Sequence, residues 1–291
     1  MSDSARTTTP FDLDAYLDRI GWQGERRPDA ATLKGVHLAH LRAIPFENLD
    51  ALGGTAPSLD LADLMAKLVH GRRRGGYCYE HNTLFAAALE ALGYRVTRLN
   101  ARVVLGADRF EDRPRTHMAL QVEIPGDPRP YLADVGFGAV GSLLEPVPLT
   151  ADTEFHDASR RHRLVHVPHG GPLEMWVLEA HDPRAETMET TGSTAGGWVA
   201  QYAFTLEPFE QPDYEVINWH IATNPRSPFS RRPYVQRLTA DGHLLLDGDR
   251  LTSTRADGTV TERKATDEAE ARRLLAAEFG IDVPEGLTLL G

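Results

Sequence analysis

The sequence has very little cysteine, with a single residue, Cys78, in 291. One cysteine cannot form a disulfide within the chain, so nothing indicates an oxidising compartment. It also excludes a zinc site built from several thiolates, and we expect no metal and no tightly bound cofactor. The lone thiol is therefore either a small buried apolar group or a nucleophile.

Long apolar runs and an excess of positive charge are missing as well. No apolar stretch approaches the roughly 20 residues of a membrane-spanning helix, and the polar residues 1–10 lack the apolar core of a signal peptide. Asp and Glu number 42 against 31 Lys and Arg, a formal net charge of −11. This balance argues against nucleic-acid binding and a polybasic membrane anchor. We expect a cytoplasmic monomer or homodimer with small-molecule partners.

Hydrophobic periodicity divides the chain into three parts. Apolar residues recur every three or four positions through residue 93, which predicts helices. After that the period changes to two, and successive strands with no helices between them favour an antiparallel sheet or barrel. The remainder is mixed: a proline-rich crossover over residues 208–234, short strands, and a last helix from Asp267 to Phe279.

Local signals place the individual elements. A polar loop of Gly, Ser, Thr and Glu is expected at 181–197. The expected helix starts are Thr9–Pro10, Asp29, Ser58 and Cys78, and the expected ends are Gly21, Pro45 and Gly93. The expected strands are 94–104, 116–124, 131–135, 163–167, 174–179, 198–204, 235–238, 244–246 and 259–263.

The only cysteine opens a helix in the segment Arg-Gly-Gly-Tyr-Cys-Tyr-Glu-His-Asn, residues 74–82. Free backbone N–H groups at a helix start carry partial positive charge and stabilise a thiolate. Gly75 and Gly76 allow a sharp turn and the close approach of a substrate. These features favour a nucleophile, which then needs a base.

His117 is the best candidate base among twelve histidines. It begins a strand and faces away from the apolar stripe of Met118, Leu120 and Val122, beside the small Ala119. His81 lies three residues from Cys78 on the same helix, which makes it an awkward base. The other histidines considered have plainer roles: His37 and His40 on a helix stripe, packed or half-exposed, and His162, His166 and His169 in a polar stretch.

Asp134 is the candidate partner for this imidazole. It is a lone charge in an apolar strand, and a buried carboxylate is costly unless it is paired. The His117 strand and the Asp134 strand are expected to form a hairpin through residues 125–130, which can bring the two side chains together. Gly136 and Gly138, just downstream, would let backbone N–H groups approach a ligand's phosphates or acyl oxygen.

These blocks, in this order, resemble the arylamine N-acetyltransferase family (bacterial type). The resemblance covers nearly the whole chain. It rests on the segments 74–82, Thr116–His117 and Asp134-Val-Gly-Phe-Gly138, on the upstream Ile44-Pro-Phe-Glu-Asn-Leu-Asp50, and on Asn218-Trp219 and Ser227-Pro-Phe229.

The resemblance implies an α+β fold with three domains. These are an N-terminal helical bundle (1–93), a central antiparallel β-barrel (94–207) and a C-terminal α/β lid (208–291). It implies a cysteine-protease-like triad of Cys78, His117 and Asp134. It also implies ping-pong transfer of acetyl from acetyl-CoA, through an acetyl-Cys78 thioester, to an arylamine, arylhydroxylamine or hydrazine, as in xenobiotic metabolism.

Further residues take roles only through this resemblance. The acceptor pocket would be lined by Phe46, Phe137 and Phe229, which suits a flat aromatic amine. An ion pair between Arg74 and Glu47 would brace the active-site turn. The residues expected near acetyl-CoA are Thr116, Gly136 and Gly138.

The sequence departs from the family's usual pattern at three places, and three other functions are considered. Tyr79 replaces a more usual phenylalanine, Asn224 replaces a histidine near the acceptor pocket, and the 181–197 loop is long.

An amide synthase closing a macrolactam from a carrier-bound acyl chain would use the same triad. A thiol hydrolase of the papain or transglutaminase type would need an extended peptide groove instead. A ligand-binding protein with an inert Cys78 is the non-enzymatic alternative.

Overall fold

Helices fill the N-terminal part of the protein. A computed structural model describes residues 11–157, 160–186, 193–194, 196–255 and 257–290. The helices are α1 (Leu13–Ile20), α2 (Ala30–Ala43), α3 (Leu49–Leu52), α4 (Leu61–Leu64), which a π-helical turn continues over Met65–His70, and α5 (Cys78–Ala91). None of the helices within the described ranges is both long and apolar enough to pass through a bilayer.

Capping side chains explain where the first two helices begin. The Asp12 carboxylate accepts the Ala15 N–H at 2.9 Å, and Asp29 accepts the Thr32 N–H at 2.9 Å. Gly21 ends α1 in the left-handed conformation, at φ 68°. The start signals expected at Thr9 and Pro10 lie outside the described residues.

The cap expected at Ser58 is wrong. Asp60 directly precedes α4, and Ser58 lies two residues further out. Its hydroxyl accepts the Asp60 N–H at 3.2 Å and donates to Asp63 at 2.6 Å. Ser58 therefore shapes the turn before the helix, because a short polar side chain bonds to nearby groups of a turn as readily as to a helix start.

The central part is one antiparallel sheet that curls into a nearly closed barrel. The strands are β1 (Arg95–Val103), β2 (Arg115–Glu123), β3 (Pro130–Ala133), β4 (Val147–Pro148), β5 (Thr153–His156), β6 (Arg161–Val167), β7 (Met175–His181), β8 (Ser193–Thr194) and β9 (Trp198–Phe204). Their hydrogen-bonded order is β4-β3-β2-β1-β9-β7-β6-β5, with β8 paired to β9. Three of these strands, β4, β5 and β8, were not expected, because runs of two to four residues carry little periodic signal.

The expected loop at 181–197 holds a 3₁₀ turn, Pro183–Glu186, and the two-residue strand β8. Residues 187–192 and 195 of that loop lie outside the described residues.

The C-terminal part begins with a helix that was not expected. Instead of a proline-rich crossover, residues 208–234 contain α6 (Gln211–Thr223) and a short 3₁₀ turn, Pro228–Ser230. Pro212 falls in the first turn of α6, where no intrahelical N–H bond is lost. The remaining elements are β10 (Tyr234–Leu238), β11 (Gly242–Asp247), β12 (Arg250–Arg255), β13 (Val260–Lys264) and α7 (Glu268–Leu274), continued by a π-helical turn over Leu275–Phe279.

Strand β2 lies between two apolar cores and contributes residues to both. Met118, Leu120 and Val122 face the helices and share a core with α5, whereas Ala119 faces the barrel interior. His117 has the same parity as Ala119 and therefore points towards the barrel. The hairpin of β2 and β3 pairs Leu120 with Ala133, which brings the residues after β3 alongside the start of β2. The division of the chain into domains at 93/94 and 207/208 stays a prediction.

Candidate active site

Cys78 is the first residue of α5, as its surroundings in the sequence indicated, and it is 4% exposed. The first-turn N–H groups of a helix have no carbonyl partner four residues back, so they remain available at this point. The Tyr77 N–H donates to the Glu80 carboxylate at 3.0 Å, which caps the turn. The Cys78 Sγ lies 3.8 Å from the Thr116 carbonyl oxygen.

Glycines surround this turn because the backbone is crowded there. A Cβ on Gly75 would lie 1.8 Å from the Pro45 carbonyl oxygen, and one on Gly76 would lie 2.6 Å from the Glu80 carboxylate. Gly136 packs against the start of α5, since its Cβ would lie 2.7 Å from the Cys78 Cα. A side chain at any of these positions would therefore displace atoms of the turn that precedes or begins α5.

His117 and Asp134 form a buried pair beside the thiol. The His117 Nε2 lies 2.6 Å from the Asp134 Oδ2, and the two residues are 2% and 1% exposed. Burial opposes a charge on the imidazole, but the Asp134 carboxylate and a hydrogen bond with Cys78 outweigh it and raise the pKa of His117 to about 10. Because Nε2 contacts Asp134, Nδ1 is the nitrogen left for the thiol.

Asp134 is held from three further directions. Its Oδ1 accepts the Asn82 side-chain amide at 3.0 Å and the Gly136 N–H at 2.9 Å. Burial alone would raise the pKa of Asp134, but the His117 charge and these donors lower it below the ordinary value. The Asn82 amide also donates to the Met118 carbonyl at 2.7 Å, so one side chain joins α5, β2 and the triad carboxylate.

His37 supports Asp134 through the backbone. Its Nδ1 lies 3.0 Å from the Leu144 carbonyl oxygen. Its Nε2 lies 3.1 Å from the Asp134 carbonyl oxygen and 3.2 Å from the Asp134 backbone nitrogen. Burial lowers the pKa of His37 to about 4, which keeps the ring neutral in this role.

Aromatic rings enclose the imidazole on the barrel side. The His117 ring lies 5.1 Å from the Phe137 ring and 5.0 Å from the Tyr202 ring, measured between centroids. Burial, with the nearby Asp134 charge, raises the pKa of Tyr202 well above its ordinary value. Tyr202 gave no signal in the sequence, because it belongs to a strand more than eighty positions from His117.

Phe46 and Phe229 form a second aromatic group near the active-site turn. Their centroids are 6.0 Å apart, and Phe229 also contacts Tyr77 at 5.9 Å. Phe46 is fixed by mutual backbone bonds of 2.9 Å with Gln236 on β10. A Cβ on Gly138, which has φ 54°, would lie 2.7 Å from the Phe46 ring. Gly138 therefore has a packing reason to be glycine.

Five charged side chains form a cluster of salt bridges beside the turn that precedes Cys78. Arg74 pairs with Glu47 at 2.8 Å and with Asp50 at 2.6 Å, and Lys67 pairs with Asp50 and Glu80 at 2.6 Å each. Burial raises the pKa of Glu80 to about 7, opposed by the Lys67 ammonium. Three carboxylates face two cations, so a proton held part of the time by Glu80 brings the cluster close to neutral.

Comparison with known proteins identifies the family to which this arrangement belongs. A family model described as N-acetyltransferase matches residues 29–288. An arylamine N-acetyltransferase of Mycolicibacterium smegmatis is 39% identical over 276 residues, covering 94% of this chain and 93% of its own. The chain belongs to the arylamine N-acetyltransferase family. It is therefore an acyltransferase, and the family uses acetyl-CoA as its acyl donor.

Solved structures of the family share the whole fold. The Nocardia farcinica arylamine N-acetyltransferase superposes with a TM-score of 0.83 at 43% identity, covering 94% of this chain and 90% of its own. The Mycobacterium marinum enzyme, solved in complex with CoA, superposes with a TM-score of 0.80 at 36% identity, covering 93% of each chain. These likenesses confirm the α+β fold of helical bundle, antiparallel barrel and C-terminal α/β part.

Four of the histidines considered in the sequence besides His117 are buried, and of these only His162 differs from the polar surroundings expected for it. His37, His40 and His81 are completely or almost completely buried, and His162 is also buried, with Nε2 3.1 Å from the Gly141 carbonyl. The polar stretch around His162 is a strand whose alternate residues point inward. Among the described residues, no group of three or more His, Cys, Asp or Glu side chains is arranged to hold a metal ion.

Asn224 lies at the C-terminal end of α6. Its backbone carbonyl accepts the Ser230 hydroxyl at 2.7 Å, and its side chain accepts the Arg226 N–H at 3.0 Å. These bonds join α6 to the short turn that carries Phe229. An effect of Asn224 on acceptor choice stays a prediction.

Proposed function

We propose that the protein transfers acetyl from acetyl-CoA to an arylamine, arylhydroxylamine or hydrazine by a ping-pong mechanism through an acetyl-Cys78 thioester. Cys78 is the nucleophile, His117 the base and Asp134 the carboxylate that orients the imidazole and stabilises its charge. The observation that carries the proposal is the buried 2.6 Å contact between His117 and Asp134, beside the thiol at the start of α5.

The first half-reaction starts from a thiolate and an imidazolium. The Cys78 Sγ attacks the thioester carbonyl carbon of acetyl-CoA, and the carbonyl electron pair moves to oxygen. First-turn N–H groups of α5 stabilise this oxyanion. As the carbonyl re-forms, the bond to the CoA sulfur breaks, and His117 gives its proton to the departing CoA thiolate. The enzyme is left acetylated, with a neutral His117.

The second half-reaction returns the enzyme to its starting state. The amine nitrogen attacks the acetyl carbon of the Cys78 thioester, and His117 takes the proton that the nitrogen loses. The tetrahedral intermediate collapses and expels the Cys78 thiolate, giving the N-acetylated amine. Asp134 again balances the imidazolium charge, so the thiolate–imidazolium pair is regenerated in a buried site.

The proposed substrate contacts lie around the triad. Phe46 and Phe229 adjoin each other and offer a flat apolar wall to an aromatic amine, and Phe137 closes the site beyond His117. Thr116 presents its carbonyl to Cys78, which suits a place near the thioester of acetyl-CoA. Gly136 and Gly138 each have a packing contact that requires glycine. Their proposed place near acetyl-CoA is a second role beside this packing.

The charged cluster is proposed as the structural support of the turn. Arg74 and Glu47 connect the Pro45–Glu47 segment to the glycines before Cys78. The side chains of Arg74 and Glu47 are 21% and 0% exposed. The carboxylate is thus neutralised inside the protein, where leaving it unpaired would be costly.

The amide-synthase and thiol-hydrolase alternatives share the triad but gain no support from the similar proteins, since eight of these carry the arylamine N-acetyltransferase name. Initial rates measured with acetyl-CoA and 4-aminobenzoate varied together separate the mechanisms. Parallel double-reciprocal lines are expected for a covalent acetyl intermediate. Intersecting lines, or turnover only with a carrier-bound acyl donor or a glutamine amide, would contradict the proposal.

A further inference from the structure

A buried line of hydrogen bonds runs behind the catalytic helix. The Tyr16 hydroxyl lies 2.8 Å from the His40 Nδ1, and the His40 Nε2 lies 2.8 Å from the His81 Nδ1. The His81 Nε2 lies 3.2 Å from the Pro45 carbonyl oxygen. Tyr16, His40 and His81 are all 1% exposed or less. We call this line the histidine relay.

The chemistry of its last acceptor fixes the direction of every bond in the histidine relay. A carbonyl oxygen can only accept, so the His81 Nε2 must donate to Pro45. In a neutral ring the other nitrogen, Nδ1, is then an acceptor, and it takes the proton of the His40 Nε2. By the same logic the His40 Nδ1 accepts, and the Tyr16 hydroxyl donates to it. Both rings are therefore neutral Nε2–H tautomers.

A charge on His81 would disturb this line. A protonated ring has two N–H donors, so its Nδ1–H would meet the Nε2–H of His40 unless His40 changed tautomer and donated to the Tyr16 oxygen. Burial lowers the pKa of His81 to about 4 and that of His40 well below its ordinary value. The charged side chains nearby, Arg19 and Lys67, further disfavour the cations, against a weaker pull from Asp134.

The relay ends on the segment that carries the proposed acceptor wall. The His81 N–H holds the carbonyl that precedes Phe46, and the His81 ring lies parallel to the Phe46 ring, 5° between planes and 6.3 Å between centroids. Gly138 also packs against the Phe46 ring, where an added Cβ would lie 2.7 Å from the ring. His81 lies on α5 one turn beyond Cys78, so it fixes the distance between the nucleophile and this wall.

We propose that His81, held in one tautomer by His40 and Tyr16, is a positioning residue that sets the acceptor wall at Phe46 relative to Cys78. The function of the relay rests on the proposed acetyl transfer, whereas its tautomers do not. The relay should govern the step in which the amine enters, and leave the acylation of Cys78 by acetyl-CoA nearly unchanged.

The tautomers are tested on the unsubstituted protein without substrate. Selective ¹⁵N labelling of histidine distinguishes the protonated ring nitrogen from the free one, and the His40→Gln and His81→Gln variants assign the signals. Both residues are expected as Nε2–H tautomers that do not titrate between about pH 5.5 and 8. An Nδ1–H tautomer of His81, or its protonation in that range, would overturn the relay whether or not the protein transfers acetyl groups.

The positioning role is tested by separating the two half-reactions. His81→Phe keeps an aromatic ring but removes the donor to Pro45, whereas His81→Gln keeps a donor and removes the ring. We expect His81→Phe to raise the KM for 4-aminobenzoate about tenfold, because a buried carbonyl loses its partner. Acylation of Cys78, followed by quenched mass spectrometry with acetyl-CoA alone, should change less than about threefold.

Tyr16→Phe tests the same role from the far end, in case His81 variants fold poorly. It removes the donor to His40 and should raise the amine KM about threefold. Tyr94→Phe is the matched control, since it removes a tyrosine hydrogen bond of 2.7 Å to the Asp29 carbonyl elsewhere in the helical part. Unchanged KM values in both the Tyr16 and His81 variants, or an equal change in Tyr94→Phe, would refute the positioning role. If the wild-type protein forms no acetyl adduct, the proposed function fails instead.

Discussion

Replacing Asp134 with asparagine removes the carboxylate that keeps His117 charged, while almost preserving its shape. The pKa of His117 stands at about 10 against an ordinary value of 6.5. This difference of about 3.5 units corresponds to about 5 kcal/mol in favour of the charged imidazole. Without the carboxylate, burial is no longer outweighed and the neutral ring is favoured. The ratio of imidazolium to neutral imidazole at pH 7 should then fall by about a thousandfold or more.

The assay is the rate at which iodoacetamide alkylates Cys78 as a function of pH. In the wild-type protein the imidazolium supports a thiolate, so alkylation should be fast and almost independent of pH near pH 6. In Asp134→Asn the rate near pH 6 should fall about 300-fold, because a thiol with the ordinary pKa of about 8.5 is only slightly ionised at that pH, and it should rise with pH, as for an unassisted thiol. Similar rates in the two proteins would show that Asp134 does not control the charge of His117.

Asp134→Asn should also change how the thermal stability of the protein depends on pH. Because the folded-state pKa of His117 is raised, the folded protein binds more protons than the unfolded one above pH 6.5. The stabilisation that the charged His117 gives to the folded state is complete below about pH 6.5 and is lost as the pH rises towards about 10. The difference in Tm between wild type and Asp134→Asn should therefore shrink over that range. A difference that grows with pH would contradict the assignment.

Two further substitutions test the packing and hydrogen bonding that hold the site together. Gly136→Ala should destabilise the fold by about 1–3 kcal/mol in urea unfolding, since its Cβ would lie 2.7 Å from the Cys78 Cα. Gly170→Ala, where no heavy atom lies within 4 Å of the added Cβ, is the control, and equal losses would contradict this. Asn82→Ala should cost about 2–4 kcal/mol and slow alkylation near pH 6, because Asp134 loses a donor. A loss of stability without slower alkylation would limit Asn82 to a structural role.

The triad residues could be predicted from the sequence because each depends on local signals. Cys78 follows two glycines and opens a helical pattern, His117 begins a strand, and Asp134 lies across a short hairpin. Turns, helix starts and hairpins are decided by nearby residues, so the pairing of His117 with Asp134 followed from the chain without distant contacts. The 2.6 Å contact now found between the two agrees with that pairing, while their catalytic roles remain proposed.

The residues that support the triad could not be found in the same way. Asn82 reads as an ordinary polar helix residue, and His37 lies on a helix stripe almost a hundred positions from Asp134. Their roles come from long-range packing between α2, α5 and β2, which no local pattern records. His40 and His81 illustrate the same limit, since burial and tautomer depend on which groups meet across helices.

The predicted and observed elements also differ where the same residue type is compatible with two local structures. Proline discouraged a helix over residues 208–234, yet Pro212 occupies the first turn of α6, where proline is tolerated. Ser58 carries a typical capping side chain, but Asp60 stands closer to the helix start. The strand β12 has the polar sequence Arg-Leu-Thr-Ser-Thr-Arg and is stabilised by pairing with β11 and β13 rather than by its own pattern.

The mass of the intact protein after incubation with acetyl-CoA, without any amine, decides whether Cys78 carries the acyl group. The wild-type protein should gain one acetyl group, lose it when an arylamine such as 4-aminobenzoate is added, and release the N-acetylated amine. Cys78→Ala should gain none. An unmodified wild-type protein whose Cys78 still reacts rapidly with iodoacetamide, or an acetyl group retained by Cys78→Ala, would contradict transfer through the Cys78 thioester.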